Sequence, residues 1–436
     1  MIESSEATTE VPARQRLSRR QVLKGTAASA GLALGSGLID GFPAVHSADP
    51  IVIRYAGTGV NAFRELSEKA KEDLGIEIQY TTLTSDDVVK RAVTQPTSFD
   101  LLDSEYWMLK KIVPSGNLRG MDVTKIKYYD QIVPIFTKGE LPDGTATSRF
   151  GIAPIKVSYL SGAESTEFAE EPTGFMTLIP TVYNADTLGI RPDLIDRPIE
   201  SWAELLNPEF KGQAAILNIP AIGIMDAGMV CQAMGEIAYG DMGNMTTDEI
   251  DQTMAVLTAA KQNGQFRAFW KEFNESVNLM ASGEVVIQSM WSPAVTKVRQ
   301  QGVSCVYQPL KEGYRAWAAG LGIPTHVEGR MLDACYEFIN WYLSGWAGAF
   351  LNRQGYYTAV LDTAQAAMAP WEWSYWMLGE PAAEPVVSPT GEKIAEAGEI
   401  RDGGSYWERM GAVAVWNTVM DEDRYMVRKW NEFIAA

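Results

Sequence analysis

Histidine is almost missing from this chain of 436 residues, where only His46 and His326 occur. Two histidines so far apart leave little material for a histidine metal site or a Ser/His/Asp triad. Cysteine is nearly as scarce. Cys231, Cys305 and Cys335 lie far apart with no CxxC pair, so no disulfide framework forms. Each is expected as a buried small hydrophobe, with a single disulfide as the alternative. Basic residues are outnumbered, 37 Lys plus Arg against 55 Asp plus Glu, which sets the formal charge at −18. A surface that acidic repels polyphosphate and argues against nucleic acid as a partner. GxSxG, Walker A and HExxH patterns are absent, as are internal repeats, so hydrolase and metalloenzyme readings weaken together.

What is present is a globular composition, 46% apolar and 21% charged, long enough for two or three core-sized units. The chain opens with Ser18-Arg19-Arg20-Gln21-Val22-Leu23-Lys24, followed by an uncharged Gly- and Ala-rich stretch to Leu38. This segment resembles a twin-arginine signal peptide, with Ala44, Ser47 and Ala48 bracketing a cleavage point. The competing reading, a basic patch before a buried helix, suffers because Gly-rich runs make poor core helices. The apolar run is also too short and too broken for a permanent membrane span. Residues 1–48 are therefore set aside as a signal, leaving an exported chain of formal charge −19 with no membrane anchor.

Beyond residue 48 strands alternate with helices. Ile51 to Ala56 is β-rich and meets Gly57-Thr58-Gly59. Phe63, Leu66, Ala70 and Leu74 then recur at helical spacing and Gly75 closes that helix. Ile76 to Leu83 reads as a second strand, Ser85 as the cap of a helix through Val88 and Ala92, and Phe99 to Leu102 as a third strand. The order βαβαβ predicts a parallel sheet with ligands at its carboxyl ends. Thr246 with Glu249 forms a capping box for a later helix. The acidic, Pro- and Gly-rich stretch 379–404 reads as a loop.

Gly57-Thr58-Gly59-Val60-Asn61-Ala62 fits the G-x-G-x-x-A dinucleotide fingerprint. The second strand ends Gln79-Tyr80-Thr81-Thr82, without the acid that would hold a ribose. Three readings stay open at this point: a nucleotide site, an ordinary glycine turn, and a turn whose free N–H groups face a small anion.

Ser201-Trp202-Ala203-Glu204-Leu205-Leu206-Asn207-Pro208-Glu209-Phe210-Lys211-Gly212 resembles a segment of the family 1 extracellular solute-binding proteins of ABC transporters, above all the spermidine/putrescine-binding periplasmic group. Thr181-Val182-Tyr183-Asn184 is similar to the crossing strand of that group, and Gly283 to Ile287 with Trp291 to its G-E-V-x-I…W element. Trp317 before Gly322-Ile323-Pro324, Phe338-Ile339-Asn340, and Gly355-Tyr356 keep the family order. The match runs over about residues 51–360.

The resemblance implies a two-lobed α/β periplasmic-binding-protein fold of type II, each lobe a mostly parallel sheet flanked by helices, hinged by crossing strands. Lobe 1 is expected over 49–183 with 318–360, and lobe 2 over 184–317 with 361–436. The implied activity is not enzymatic. A monomeric periplasmic receptor closes on a small amine-containing solute and passes it to an ABC permease in the inner membrane, without cofactor or metal. By position Ser104, Tyr106 and Trp107 match the cleft segment after the third strand. Trp291, Trp317 and Tyr356 match aromatics that sandwich the ligand, and Gly57 and Thr58 stand at the cleft turn. Aromatic faces suit alkylammonium groups; the competing role for such rings is core packing. Polyamine binders carry an aspartate where this chain has Ala319, and 217–225 offers no carboxylate before Asp226, so the pattern departs from strict spermidine binding toward another organic cation or a zwitterion. Asp103 and Glu105 flank Ser104, although a charge at a strand end is ordinarily solvated.

Overall fold

The computed structural model describes residues 50–148 and 150–436, and the segment assigned to the signal peptide lies outside them. The first element, β1 (Ile51–Gly57), buries Ile51, Ile53 and Tyr55 by simple alternation. It leads through a six-residue turn to α1 (Arg64–Leu74), whose Leu66 and Ala70 face the core at i, i+4 spacing and whose end is set by left-handed Gly75. β2 (Ile76–Thr82), α2 (Ser85–Thr94) and β3 (Leu101–Glu105) follow, and β2 and β3 both pair with β1 in parallel. The βαβαβ expectation therefore describes this part of the fold. Two boundaries move: the cap of α2 is Thr84, whose hydroxyl accepts from Asp87 N–H, and β3 begins two residues later than its apolar run suggested.

A second group of parallel pairings joins β5 (Ala214–Leu217), β6 (Phe266–Trp270) and β7 (Ile287–Met290). Between them run α3 (Pro220–Ala233), buried over nearly its whole surface, and α4 (Thr247–Gln262), which starts with the expected Thr246/Glu249 capping box. α5 (Phe273–Ser282) precedes β7, and α6 (Ser292–Gln300) follows it directly.

Two long strands tie the groups together. β4 (Ile179–Ile190) is buried along its entire length. Its first part pairs antiparallel with β8 (Tyr314–Gly322), which in turn pairs with β3, while its last four residues pair with β7. The handover falls between Asp186, which faces Arg315 of β8, and Thr187, which faces Met290 of β7. A third strand, β9 (Val413–Trp416), lies parallel to the start of β8. The chain then ends in α7 (Asp423–Ala435), which packs Trp430 and Phe433 inward.

The Ser201–Gly212 motif does structural work at this crossing. Ser201 Oγ donates to Glu312 Oε1 at 2.6 Å, and Trp202 Nε1 donates to the Gly313 carbonyl at 2.9 Å. Together they clamp the residues that enter β8. The stretch read as a loop, 379–404, instead carries a small hairpin of Val386–Val387 against Lys393–Ala395. Its strands are too short to give a period-2 signal. All three cysteines are buried free thiols, so the single-disulfide alternative falls.

Candidate functional site

A cavity of about 760 Å³ opens over the crossing strands. Its walls come from both groups of strands. Thr58 to Val60 and Phe63 lie after β1, Asn218 and Ile219 follow β5, Phe273 starts α5, Trp291 and Thr296 belong to the β7–α6 junction, and Trp317 stands on β8. At that volume the space suits a small organic molecule held largely away from water.

Three aromatic groups line it. Trp291 sets its edge on buried Trp270 at 4.8 Å and lies nearly parallel to Phe273 at 6.3 Å. Trp317 meets Tyr356 edge to face at 6.1 Å. Phe63 meets Phe350 at 5.4 Å. Tyr356 is delivered by Gly355, whose φ of 95° only glycine adopts without strain. The Gly355 carbonyl is held by Asn184 Nδ2 at 2.9 Å, so this wall is tied to the crossing strand.

One carboxylate is buried in the lining. Glu105, at the end of β3 and 8% exposed, sits directly opposite Ala319 in the β3–β8 ladder. Opposed residues in an antiparallel pair project to the same face, and so do residues two apart on one strand. Glu105, Ala319 and Trp317 therefore share a face. Glu105 thus places a carboxylate on the face where Ala319 has none. Trp107 Nε1 donates to Glu105 Oε2 at 2.7 Å and fixes its rotamer. Burial pushes the Glu105 acid up to about 7, with Trp107 and the nearby Arg315 pulling the other way. Its carboxylate, with the Asn417 amide also beside it, stands among the aromatic faces of the cavity as a natural acceptor for a cationic N–H donor.

Behind this floor a buried charge cluster locks the crossing. Arg315 on β8 donates through Nε to Asp226 Oδ1 at 2.6 Å and through Nη1 to Asn417 Oδ1 at 3.0 Å, and its Nη2 lies 3.4 Å from Asp186 of β4. Asn417 also lines the cavity, and its Nδ2 has no partner. Asp226, the first carboxylate after 217–225, is paired with Arg315 and does not line the cavity.

Of the positions singled out from sequence, Thr58, Trp291, Trp317 and Tyr356 come together around the cavity, and Ser104, Tyr106, Trp107 and Gly57 do not line it. The reason for Ser104 is parity: it alternates with Glu105 and so projects to the other face of β3. Tyr106 turns inward, donating to the Leu178 carbonyl at 3.3 Å and packing on Phe136. Trp107 is buried one layer back, where it orients Glu105. Gly57 is glycine for a steric reason, since a Cβ there would stand 2.4 Å from Asp103 Cβ. Asp103 is itself fully buried, accepting from Asn61 Nδ2 at 2.9 Å, and burial raises its acid to about 7. Neither Asp103 nor Glu105 is the solvated strand end expected of such charges. A pyrophosphate at the Gly57 turn would meet these carboxylates, and α1 starts only at Arg64, so the nucleotide reading and the anion reading of the turn both lose their basis.

Other lining residues escaped the sequence: Asn218, Phe273, Phe350, Gln354, Asn417 and the hairpin tip Ser388-Pro389-Thr390. The Pro-Thr-Gly turn at 389–391 was the one available signal for the tip.

Two lobes of α/β structure, joined by long strands and enclosing an aromatic cavity with a single buried carboxylate, define a periplasmic-binding-protein fold of type II. A family model described as "Bacterial extracellular solute-binding protein" matches residues 65–377, and the chain belongs to that family, whose members bind solutes and are not enzymes. The spermidine/putrescine-binding periplasmic protein of Escherichia coli strain K12 is 22% identical over 307 residues, 70% of this chain and 76% of the relative. Among solved structures, a putative spermidine/putrescine ABC transporter protein from Listeria monocytogenes superposes with a TM-score of 0.61 at 14% identity, covering 88% of this chain and 98% of the other. The Atu4243-GABA receptor does so with a TM-score of 0.51 at 19% identity, covering 75% and 87%. Among the described residues no helix is long and apolar enough to cross a membrane.

Proposed function

We propose that this chain is the receptor of an ABC importer, exported by the twin-arginine route to the periplasm, where as a monomer it captures a small amine-containing solute and delivers it unchanged to an inner-membrane permease. On this reading one lobe comprises 49–183 with 318–360 and the other 184–317 with 361–436, and the two close about β4 and β8. The observation that carries the reading is the pairing of one buried carboxylate, Glu105, with aromatic faces from Trp291, Trp317 and Tyr356. An ammonium placed there gains a charge-assisted hydrogen bond worth about 1.5–3 kcal/mol and ring contacts of about 0.5–2 kcal/mol. A single deep acid favours one cationic nitrogen over the several of spermidine. That the relative from Escherichia coli is named for binding spermidine and putrescine, and a structural neighbour is called a GABA receptor, makes polyamines and amino-acid zwitterions the two ligand sets to compare.

The test is titration calorimetry with monoamines, ω-amino acids, betaines and polyamines against the protein and its Glu105→Gln variant. Micromolar binding of a compound with one amine, lost in the variant, supports the proposal. Binding of spermidine above all others would refute the single-nitrogen assignment, and silence from every amine would refute the receptor reading.

A further inference from the structure

Thr296 lines the solute cavity and also a second, far smaller one of about 20 Å³, shared with Ser292, Arg299, Arg401, Asp402 and Arg409. That volume holds one water or one halide and excludes tetrahedral oxyanions. Its charge is unbalanced. Arg299 is neutralised by Asp402 at 3.0 Å. Arg401 has no carboxylate partner among the described residues: its guanidinium donates to the carbonyls of Trp376 and Gly355 and lies 4.9 Å from the ring centres of Tyr357 and Trp376. Arg409, 1% exposed, donates through Nη2 to Asn184 Oδ1, the Ala185 carbonyl and Ser292 Oγ at 3.2–3.3 Å, 5.0 Å from the Tyr307 ring centre, and its Nε–H has no partner.

Two buried guanidiniums thus face one small space in which the one lining carboxylate, Asp402, is already paired to Arg299, and dipoles, ring faces and the more distant Asp186 offset them only in part. Removing an unpaired charge from water is costly, and carbonyls and π faces recover part of that cost. Burial, with the neighbouring Arg409 adding to it, presses Arg401 down to about 10, whereas the surrounding tyrosines and Asp186 hold Arg409 up. The Ser292 hydroxyl accepts from Arg409 and keeps its own proton free to donate.

We propose that this cavity is a binding site for one small monovalent anion of chloride size, held by Arg409 Nε–H, the Arg401 guanidinium and the hydroxyls of Ser292 and Thr296. A water would satisfy the orphan Nε–H but bring no charge. The anion also joins elements that frame the solute cavity, because Arg409 grips Asn184 and Ala185 on β4 and Arg401 grips the carbonyl before Tyr356. The site does not depend on which solute the larger cavity takes.

The test uses the whole chain. Crystals transferred to sodium bromide are measured at the bromine edge, and thermal midpoints are compared in sodium chloride and sodium gluconate at matched ionic strength. The expected result is an anomalous peak between Arg401 and Arg409 and a midpoint higher in chloride by about 2 °C or more. Arg409→Met should abolish that difference. Because it also strips β4 of donors, Thr296→Val is the companion variant, keeping the shape and at least halving the difference. A cluster without bromide, coincident midpoints in the two salts, or a difference unchanged in both variants overturns the assignment.

Discussion

Glu105 owes its setting to strand parity, and parity is what sequence alone does not display. The residue was in view as one of two acids flanking Ser104, but which of three consecutive side chains faces a cleft depends on the register of β3 against β8, a pairing of residues more than two hundred positions apart. Trp291, Trp317 and Tyr356 were legible because each stands beside a motif of fixed order. Asn417 and Ser388 were not, since nothing local marks a residue that reaches the cavity from the far end of the chain. Three expectations belong to this scale. Glu105→Gln keeps the size of the side chain and an acceptor for Trp107 while removing the charge, so amine affinity should fall about tenfold or more, measured by calorimetry. In the native protein the acid near 7 makes binding proton-linked: a bound cation favours the carboxylate, so affinity should weaken as pH falls below about 7 and the variant should lose that dependence. A flat native profile would count against Glu105 as the contact. Trp291→Ala with Trp317→Ala should cost at least about 2 kcal/mol of binding, since both rings line the cavity. Unchanged affinity would return them to a packing role.

The elements that matter most are the two crossing strands, and they read differently in sequence. The βαβαβ run was legible because apolar periodicity switches cleanly between 2 and 3.6, with Gly75 and the Thr84 cap marking the boundaries. β4 and β8 are buried throughout, so they show no alternation, and only the resemblance of Thr181–Asn184 pointed to a crossing. What holds them is Arg315, flanked by Asp186 and Asp226 at 1% exposure or less. Arg315→Met keeps the stem but leaves two buried carboxylates without their counter-charge, and breaking such a pair costs about 3–5 kcal/mol. The thermal midpoint should drop by several degrees, with amine affinity reduced as well because Asn417 loses its donor. A neutral result would show that the acids protonate at no cost. The hairpin offers a contrast. Ser388 and Thr390 turn their hydroxyls onto Glu392, which holds that carboxylate down at about 2, so the tip is satisfied within itself and meets the cavity as a preformed wall. It is expected to select by size, not by hydrogen bonding. Replacing Pro389 by Gly should therefore loosen ligand release more than it alters stability, as read from dissociation rates.

For the whole molecule, the cavity and crossing concentrate acids whose ionisation opposes folding. Asp103 and Glu105 are raised to about 7 and Asp186 to about 6, each chiefly by burial. In the unfolded chain the same groups titrate near 4. Between roughly pH 4 and 7 the folded state therefore binds more protons than the unfolded one, and stability must fall as pH rises through that window. His326 acts the other way, because its folded value is depressed by burial, but it is a single group and only partly enclosed. Acids held down by partners, such as Asp100 beside Arg54 and Glu372 beside Arg353, are ionised in both states above about pH 5 and drop out. The ligand-free protein should thus melt at a higher temperature near pH 5.5 than near pH 8, the reverse of a protein stabilised by surface carboxylate pairs. A bound amine compensates Glu105 alone, so saturating ligand should raise the midpoint more at pH 8 than at pH 5.5 and bring the two curves closer. Calorimetric scans at the two pH values, with and without ligand, decide the matter: a free protein more stable at pH 8 would mean that these acids are hydrated, and a ligand shift equal at both would mean that the cation binds somewhere other than Glu105.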